Sequence, residues 1–572
     1  MRMNSADILS LCKRRGFIWP AYEIYGGIAG LYDYGPLGTA MKNNIVGAWR
    51  KMYTLGEGFI EIDSDTIGPE AVFKASGHVD QFSDKLVTCT KCKTPFRADH
   101  LLKDLVPNSG ALTLMEIDAK IIELNVKCPD CGGDLSKAED FNLMFRTTIG
   151  PGSAGRIGYL RPETAQGIFV NFNSLYRFNR EKLPFGVIQV GRGYRNEISP
   201  RQGVIRLREF NMMEAELFVD PKDKTWPRYG AIKKELIRLV PNDPGDDTIQ
   251  ITIEEALAKR IIANETLAYF LWFTQRFLVT VGVDPERLRF RQHLKTEMAH
   301  YACDCWDAEA LLSFGWTEIV GIADRGNWDL SRHIEYSKTD MSAFKRFDAP
   351  TEVEREVIKP KYGQLGPKFK AKATVVGKAL EAAEVSNIGA SGIEVEVDGQ
   401  KVMVERSLFD VVKIKEKVSG EKFIPHVIEP SHGLDRILYT CLEHAYTEKE
   451  DKEGKYVVLR LSAPAAPVKV GVFPLMGKDE LTSVGCAIDL QLRMIGVETS
   501  YDDSGSIGRR YARMDEVGTP YCITVDYQTV EDGTVTIRDR DSTEQVRVSK
   551  GRIVETMLML LNGAASFTDL KG

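Results

Sequence analysis

The chain has 572 residues, a length that predicts roughly three or four domains at about 150 residues each and ample material for a large buried core. Apolar residues at 43% and charged residues at 27% exclude a largely disordered chain and a membrane bundle, so a folded enzyme is expected. Lysine plus arginine (75) against aspartate plus glutamate (81) gives a net charge of −6, which excludes a surface coated with a general nucleic-acid-binding field; any RNA contact has to be local.

At the amino terminus the only apolar run is Ile8 to Cys12, shorter than the roughly 7 to 15 residues of a signal-peptide core, so a cytoplasmic protein is expected. Over 37–53, Ala40, Met41, Ala48, Trp49 and Met52 recur at helical spacing, and 59–63 then alternates like a strand before Pro69. Residues 86–140 carry two cysteine pairs and read as an inserted module. From 184 to 219 the pattern is that of strands, with a break at Ser199-Pro200-Arg201-Gln202-Gly203 that predicts a long antiparallel hairpin. The span 222–345 mixes helical and irregular stretches. Its most apolar part, 267–283, is interrupted by Gln275 and Arg276 and falls short of the roughly 20 residues a bilayer span needs; it predicts a core helix and no membrane contact.

Residues 350–425 shift to a Lys/Glu/Val-rich composition with a small hairpin over 393–397 and 401–405 turning at Asp398-Gly399, and read as a second insertion. Its basic run, Lys359, Lys361, Lys368, Lys370 and Lys372, suits a solvated face or a contact to RNA phosphates. After a linker at 463–467, strand (469–474), helix (479–495), strand (497–502), helix (507–516) and strand (521–527) alternate in a compact α/β domain. Domain bounds follow: a core over 1–349 interrupted at about 86–140, a second insertion at 350–425, the end of the core at 426–463, and a terminal domain at 464–572.

The chemistry concentrates in the long hairpin. With side chains alternating faces, Arg206, Arg208, Phe210, Met212, Glu214 and Glu216 share one side of the second strand, and Arg195 and Glu197 share a face of the first. Two arginines and two glutamates do not belong on a core-facing stripe, because a bare buried charge costs several kcal/mol. Such a face suits a nucleotide: guanidiniums for phosphates, a phenyl ring for a base, carboxylates for Mg²⁺ or an ammonium group. For any single pair the alternative is a cross-strand salt bridge. The pairs Cys89/Cys92 and Cys128/Cys131 have zinc-knuckle spacing, which fits a closed, structural Zn²⁺ site or four reduced thiols in a module that has lost its metal. His300, Cys303 and Cys305 offer only three ligands beside Trp306 and read as packing.

Residues 185–216, including GYRNEISPRQGVIRLREFNMMEAE, closely resemble the second signature motif of class II aminoacyl-tRNA synthetases. EIDSDTIGPEAVFKASGHVDQF at 61–82 resembles the first motif of glycyl-tRNA synthetases, and HVIEPSHGLDR at 426–436 the third. FRADHLL (96–102), YLRPETAQGIFVNF (159–172), HYACDCWDAE (300–309), EIVGIADR (318–325) and DDSGSIGRRYARMDEVG (502–518) extend the resemblance over nearly the whole chain, and it is to the homodimeric archaeal and eukaryotic type.

The resemblance implies an α+β fold: a six-stranded antiparallel sheet flanked by helices, a C-terminal α/β anticodon-binding domain, and insertions. It also implies a homodimer with the first motif at its interface and a two-step reaction, glycine and ATP to glycyl-adenylate, then glycine to the 3′ end of tRNA(Gly). By resemblance Arg195, Arg206 and Arg436 are the catalytic arginines, and Asn196, Glu197, Leu207, Phe210, Glu318, Ile319 and Gly433 complete the ATP site. Glu163, Glu214, Glu429 and Ser431 match the glycine pocket, and Arg97 a substrate-contacting arginine. Clustered carboxylates repel unless an ammonium group and nearby arginines offset them. Glu318 and Glu429 are candidate Mg²⁺ ligands. The rival expectations are a non-catalytic, tRNA-binding accessory subunit and a class II enzyme for another small amino acid. In the terminal domain Arg509, Arg510 and Arg513, with Lys478 and Arg493, supply local positive charge.

Overall fold

The apolar and polar alternation of 184–219 does form a long hairpin. Phe185–Tyr194 and Glu209–Val219 pair antiparallel in continuous register from Phe185↔Phe218 to Tyr194↔Glu209. In this computed structural model, which describes residues 5–200, 203–242, 247–294, 303–451 and 454–571, both strands stop short of the expected break. The connection runs from Arg195 to Arg208, of which Arg201 and Gln202 lie outside the described residues, as does His300.

The hairpin belongs to a sheet of nine strands. Six of them are mutually antiparallel, in the order Leu288–Gln292, Asp304–Leu312, Gly315–Gly326, His426–Gly433, Glu209–Val219, Phe185–Tyr194. These are the six strands that the resemblance implies, and the sheet is wider than that expectation. Ile60–Glu61 adds in parallel at one edge; Leu236–Val240 adds in parallel at the other and carries Ile249–Thr252 beyond it.

Helices cover one face. Glu265–Val281 is capped by the Asn264 side chain accepting from the Leu267 N–H and ends at Gly282 in the left-handed region, φ 108°; it is buried along most of its length, which explains its near-continuous apolar sequence. Pro36–Arg50 begins with proline in its first turn, where the missing N–H costs nothing. It buries Met41, Ile45 and Trp49 and runs on into a wider turn over Lys51–Gly56. Trp49, Tyr53 and Phe277 enclose the imidazole of His432, with ring centroids 5.7, 6.1 and 5.4 Å from it. Burial lowers the pKa of His432 to about 3, so a neutral ring joins both helices to the strand His426–Gly433.

Residues 83–142 build the cysteine module: strands Ser83–Thr88, Pro95–Arg97 and Glu139–Asn142 in one small sheet, with helix Leu114–Glu123 started by a reciprocal Thr113/Glu116 capping box. Ser342–Ile424 is a separate compact unit. Its long strands Ala343–Pro360 and Phe409–Phe423 form a two-stranded ribbon. The compositional shift at 350 falls inside the first of these strands. Its hairpin, Gly392–Val397 and Gln400–Glu405, turns through Asp398 and Gly399, both at positive φ (54° and 75°), as a two-residue loop requires. Ile358, Leu365, Val376, Leu380, Val395 and Phe409 make its own core. Three lysines of the basic run are ion-paired, Lys361 to Asp410, Lys368 to Glu405 and Lys372 to Asp398, so most of that run is a salt-bridged face.

The last hundred residues form a five-stranded sheet in the order Thr499–Tyr501, Val470–Pro474, Tyr521–Val525, Thr534–Asp539, Gln545–Ser549, the first three parallel and the rest antiparallel. Helices Asp479–Met494, Ile507–Val517 and Ile553–Leu561 accompany it. Arg540 is buried and donates to the carbonyls of Leu461 and Gly518, both at 2.9 Å. Among the described residues no helix is long and apolar enough to cross a membrane.

Candidate active site

Three segments converge above the middle of the large sheet: the connection Arg195–Arg208, the strand Gly315–Gly326 and the junction of strand His426–Gly433 with helix Leu434–Ala445. Between them lies a cavity of about 180 Å³ whose walls include Arg195, Arg206, Phe210, Glu318, Ser431 and Arg436. Phe210 faces Gly193 across the hairpin, and a Cβ there would come within 2.6 Å of its ring. The glycine therefore makes room for the phenyl group to lie against the strand.

The Arg195 guanidinium lies over two rings, 5.2 Å from the centroid of Phe82 and 5.3 Å from that of Phe210, a geometry in which cation and ring faces attract. Its Nε donates to the Pro162 carbonyl at 3.4 Å. Arg206 is 3.7 Å from the carboxylate of Glu197. Arg436 donates from Nη1 to the backbone carbonyl and the carboxylate of Glu318, at 2.8 and 3.0 Å, and from Nε to the Ile205 carbonyl at 3.0 Å. Burial works against ionisation of Glu318, but Arg436 and Arg195 outweigh it and lower its pKa. The cavity therefore offers three fixed guanidiniums beside an aromatic ring.

At one end of this cavity Ser431 donates to Glu214 at 2.8 Å, and beneath lies a buried cluster of acids: Glu163, Glu214, Glu216, Glu429 and Asp329. Arg325, only 2% exposed, is the counter-charge. It binds Asp329 through Nε and Nη2 at 2.8 and 2.9 Å and Glu429 through Nη1 at 2.7 Å. Gln166 donates to Glu163 at 2.8 Å and to Asp329 at 3.3 Å, and its amide oxygen meets His333 Nε2 at 2.9 Å. Thr164 donates to Glu214 from its backbone N–H at 2.6 Å and from its hydroxyl.

These surroundings separate the acids. Burial opposes ionisation of Glu163, yet His78, Arg325 and Gln166 hold its pKa well below the usual carboxylate range. Burial and then Glu163 raise that of Glu214. Burial pushes Glu429 up to about 7 against the pull of Arg325. Glu216, fully buried and with neither carboxyl oxygen hydrogen-bonded among the described residues, is raised well above 4.5 by burial and then Glu429, which favours its neutral form.

In the cysteine module the four thiols of Cys89, Cys92, Cys128 and Cys131 lie within 4.8 Å of one another. The Cys89–Cys131 and Cys92–Cys128 sulfur separations are 3.5 and 3.6 Å, close to the roughly 3.8 Å edge of a tetrahedron with metal–sulfur bonds of about 2.3 Å. This donor set fits zinc. It is the one such group among the described residues, which include Cys303 and Cys305 but not His300.

Two family models match the chain: the class II tRNA synthetase core domain (G, H, P, S and T) over residues 153–242, and an anticodon-binding domain over 469–559. The glycine–tRNA ligase of Methanothrix thermoacetophila is 51% identical over 566 residues, covering 98% of this chain and 98% of that protein. The glycine–tRNA ligases of Archaeoglobus fulgidus, 50% identical with 99% of each chain covered, and of Methanocaldococcus jannaschii, 48% identical with 96% and 97% covered, match in the same way. The chain belongs to the glycine–tRNA ligase family.

Against the residues that the family resemblance singles out, the structure gathers Arg195, Glu197, Arg206, Leu207, Phe210, Glu318, Ile319, Ser431, Gly433 and Arg436 around one cavity. Asn196 does not line it; its backbone N–H donates to the Leu143 carbonyl. Arg208 is also diverted from the stripe expected of it, since its guanidinium donates to the backbone carbonyls of Glu197 and Ala29 and so shapes the connection. Arg97 lines a neighbouring cavity that shares Arg206 with the first, and Asp84 and Asp99 hold its guanidinium at 2.9 and 2.7 Å. As Mg²⁺ ligands Glu318 and Glu429 do not form a pair. Glu429 is bound to Arg325 and lies opposite Ala323, five residues along the strand from Glu318, a separation of roughly 16 Å.

Sequence reasoning missed Arg325, Gln166 and Asp329. An excess of buried acid demands a buried cation, and Arg325, four residues before Asp329, was the arginine available in the quoted EIVGIADR string.

Proposed function

We propose that this chain is a glycine–tRNA ligase that activates glycine with ATP as glycyl-adenylate and then transfers glycine to the 3′ end of tRNA. The observation that carries this function is the junction of the two half-sites: a cavity with three arginines and an aromatic ring is walled in part by Ser431, which donates to Glu214 of a buried carboxylate cluster. The first half fits a nucleoside triphosphate, and the second fits an ammonium group with no side chain beyond it.

In the activation step the glycine carboxylate attacks the α-phosphorus in line with departing pyrophosphate. Such a displacement depends on positioning and preorganised positive charge, with no covalent nucleophile from the protein. Arg195, steadied by two rings and the Pro162 carbonyl, holds the α-phosphate where charge builds up. Arg206 and Arg436 hold the distal phosphates or cover the base, Phe210 stacks on adenine, and Glu197 accepts from its amino group. Glu318 is the cavity carboxylate that would hold Mg²⁺, whose charge neutralises the triphosphate.

Glu163, Glu214 and Glu429 read the glycine ammonium. Favourable contacts to one methylene discriminate by only about 1–3 kcal/mol, so alanine is excluded by lack of room among the packed acids. Zn²⁺ at the four cysteines would fold the module and leave no open coordination position for chemistry. The anticodon-binding match supports tRNA as partner. The protein works as a cytoplasmic homodimer in this proposal. Ile24 and Tyr25 are 90% and 83% exposed, apolar surface that a second copy would cover.

Pyrophosphate exchange into ATP, run with each standard amino acid in turn, tests the assignment. Glycine alone should drive exchange, and Arg195→Ala should lower it about a hundredfold or more while the protein stays folded. Exchange driven by another amino acid, or near-normal exchange in Arg195→Ala, overturns it.

A further inference from the structure

Three segments distant in sequence meet at one buried carboxylate beside the candidate ATP site. Asp435 lies in the first turn of helix Leu434–Ala445 and is 4% exposed; a carboxylate there is also favoured by the helix dipole. Its Oδ1 accepts from the Tyr34 hydroxyl and from Asn211 Nδ2, the latter at 2.9 Å, and its Oδ2 accepts from the Asn211 backbone N–H at 2.6 Å. Tyr34 comes from the amino-terminal strand Tyr32–Tyr34, which pairs with Ile18–Pro20.

The Asn211 contact extends the large sheet past the point where backbone pairing stops. Glu209–Val219 and His426–Gly433 pair only as far as Met212↔Gly433, because the chain turns into the helix after Gly433. The N–H of Asn211, one residue further along the strand, would otherwise lack a partner, and the Asp435 carboxylate takes it. Phe210 and Arg436 are the sequence neighbours of these two residues. Phe210 reaches the cavity from the strand; Arg436, fixed to Ile205 and Glu318, reaches it from the helix. The two groups stand on different elements, and Asp435 ties those elements together one residue away from each.

The amino-terminal segment braces the same site a second time. At the end of the connection Arg195–Arg208, the Arg208 backbone N–H donates to the Gly30 carbonyl at 2.8 Å, and its Nη1 donates to that of Ala29 at 2.8 Å. Gly30 has φ 77°, and a Cβ there would come within 2.6 Å of the Pro200 ring, so this approach requires glycine.

We propose that Asp435 is a positioning residue for ATP, holding Phe210 and Arg436 at one spacing, with Tyr34 orienting its carboxylate. Both carboxylate oxygens are engaged by protein donors, so Asp435 acts on the nucleotide through its neighbours, in a reaction that depends on placement. The proposal rests on the ATP site of the ligase assignment and adds to it two residues that lie outside both family matches.

The test uses the full chain in glycine-dependent pyrophosphate exchange, with ATP and glycine varied separately, and equilibrium binding of a non-hydrolysable ATP analogue alongside. Asp435→Asn keeps the side-chain shape but puts an NH₂ group where one acceptor oxygen stood; KM for ATP should rise about tenfold. Tyr34→Phe, which removes only a hydroxyl, should raise it roughly threefold. KM for glycine should stay that of the unmodified protein in both, and analogue affinity should fall in step with KM for ATP. Because Tyr34 acts only through the carboxylate, the double variant should be no weaker for ATP than Asp435→Asn alone. Unchanged KM for ATP in the folded variants would overturn the proposal. So would KM for ATP and glycine rising together, which marks a general loosening of the fold, and multiplied effects in the double variant would remove Tyr34 from it. Should Asp435→Asn fail to fold, Tyr34→Phe decides. Absence of glycine-dependent exchange in the unmodified protein would instead strike the ligase assignment, and analogue binding would still read the effect of each variant, so the two failures remain distinct.

Discussion

Glu429 shows how burial can set a working pH. Its carboxyl is raised to about 7 by burial against the pull of Arg325, so it is ionised above that value and neutral below it. Only the ionised form attracts the glycine ammonium. The value of kcat/KM for glycine in pyrophosphate exchange should therefore fall as pH drops through about 7, since this ratio reports groups of the free enzyme. Glu429→Gln should flatten that acidic limb and raise KM for glycine roughly tenfold or more, the value of a hydrogen bond to a charged group. A limb that persists unchanged in the variant would assign the titration elsewhere. The sign for stability is opposite. A carboxyl raised on folding contributes most at low pH, and that contribution is lost as pH rises through about 7. At this scale the acids of the pocket were legible because their motifs are long and distinctive. Their organiser was not: Arg325 reaches Glu429 across 104 positions of sequence, and no periodicity announces such a contact.

The elements divide in the same way. Alternation predicted the hairpin, helical spacing a helix over 37–53, found at Pro36–Arg50, and an apolar run a core helix over 267–283, found at Glu265–Val281. The connection Arg195–Arg208 was misread as continuing strand because its arginines also alternate. Their guanidiniums are engaged with the carbonyls of Pro162, Glu197 and Ala29, and this draws the chain out of the sheet. The cysteine module was legible from spacing alone. Val87, Phe96, Ala98, Leu102 and Ile117 make only a small core around Cys89 and Cys128, so metal should carry much of the module's stability. Purified protein should contain about one zinc per chain, and Cys128→Ser should remove it. Amide-exchange protection should then fall over 83–142 while the large sheet stays protected. Full zinc content in the variant would refute the four-thiolate site.

For the whole molecule, the unit Ser342–Ile424 enters and leaves through one pair of strands. Ala343 pairs with Phe423, so its ends lie about 5 Å apart and its core is its own. Replacing 343–423 by a short glycine linker should leave a folded protein with unchanged glycine-dependent pyrophosphate exchange; loss of exchange would make the unit part of the activation machinery. Composition marks a Lys/Glu/Val-rich stretch from 350, whereas the compact unit begins at Ser342. The nine-stranded width of the large sheet was not legible, since its outer strands are short and unremarkable in sequence.

The anchoring of the terminal domain has a different consequence. Arg540 is sealed against the carbonyls of Leu461 and Gly518, and Lys469 donates to those of Ala463 and Pro464 at 2.6 and 3.0 Å. The segment joining the two parts is thus clamped at its start and its end. A hinge there would first have to strand two cations among unsatisfied carbonyls. The terminal domain and the large sheet are thereby held at one spacing, as the jaws of a locked caliper are.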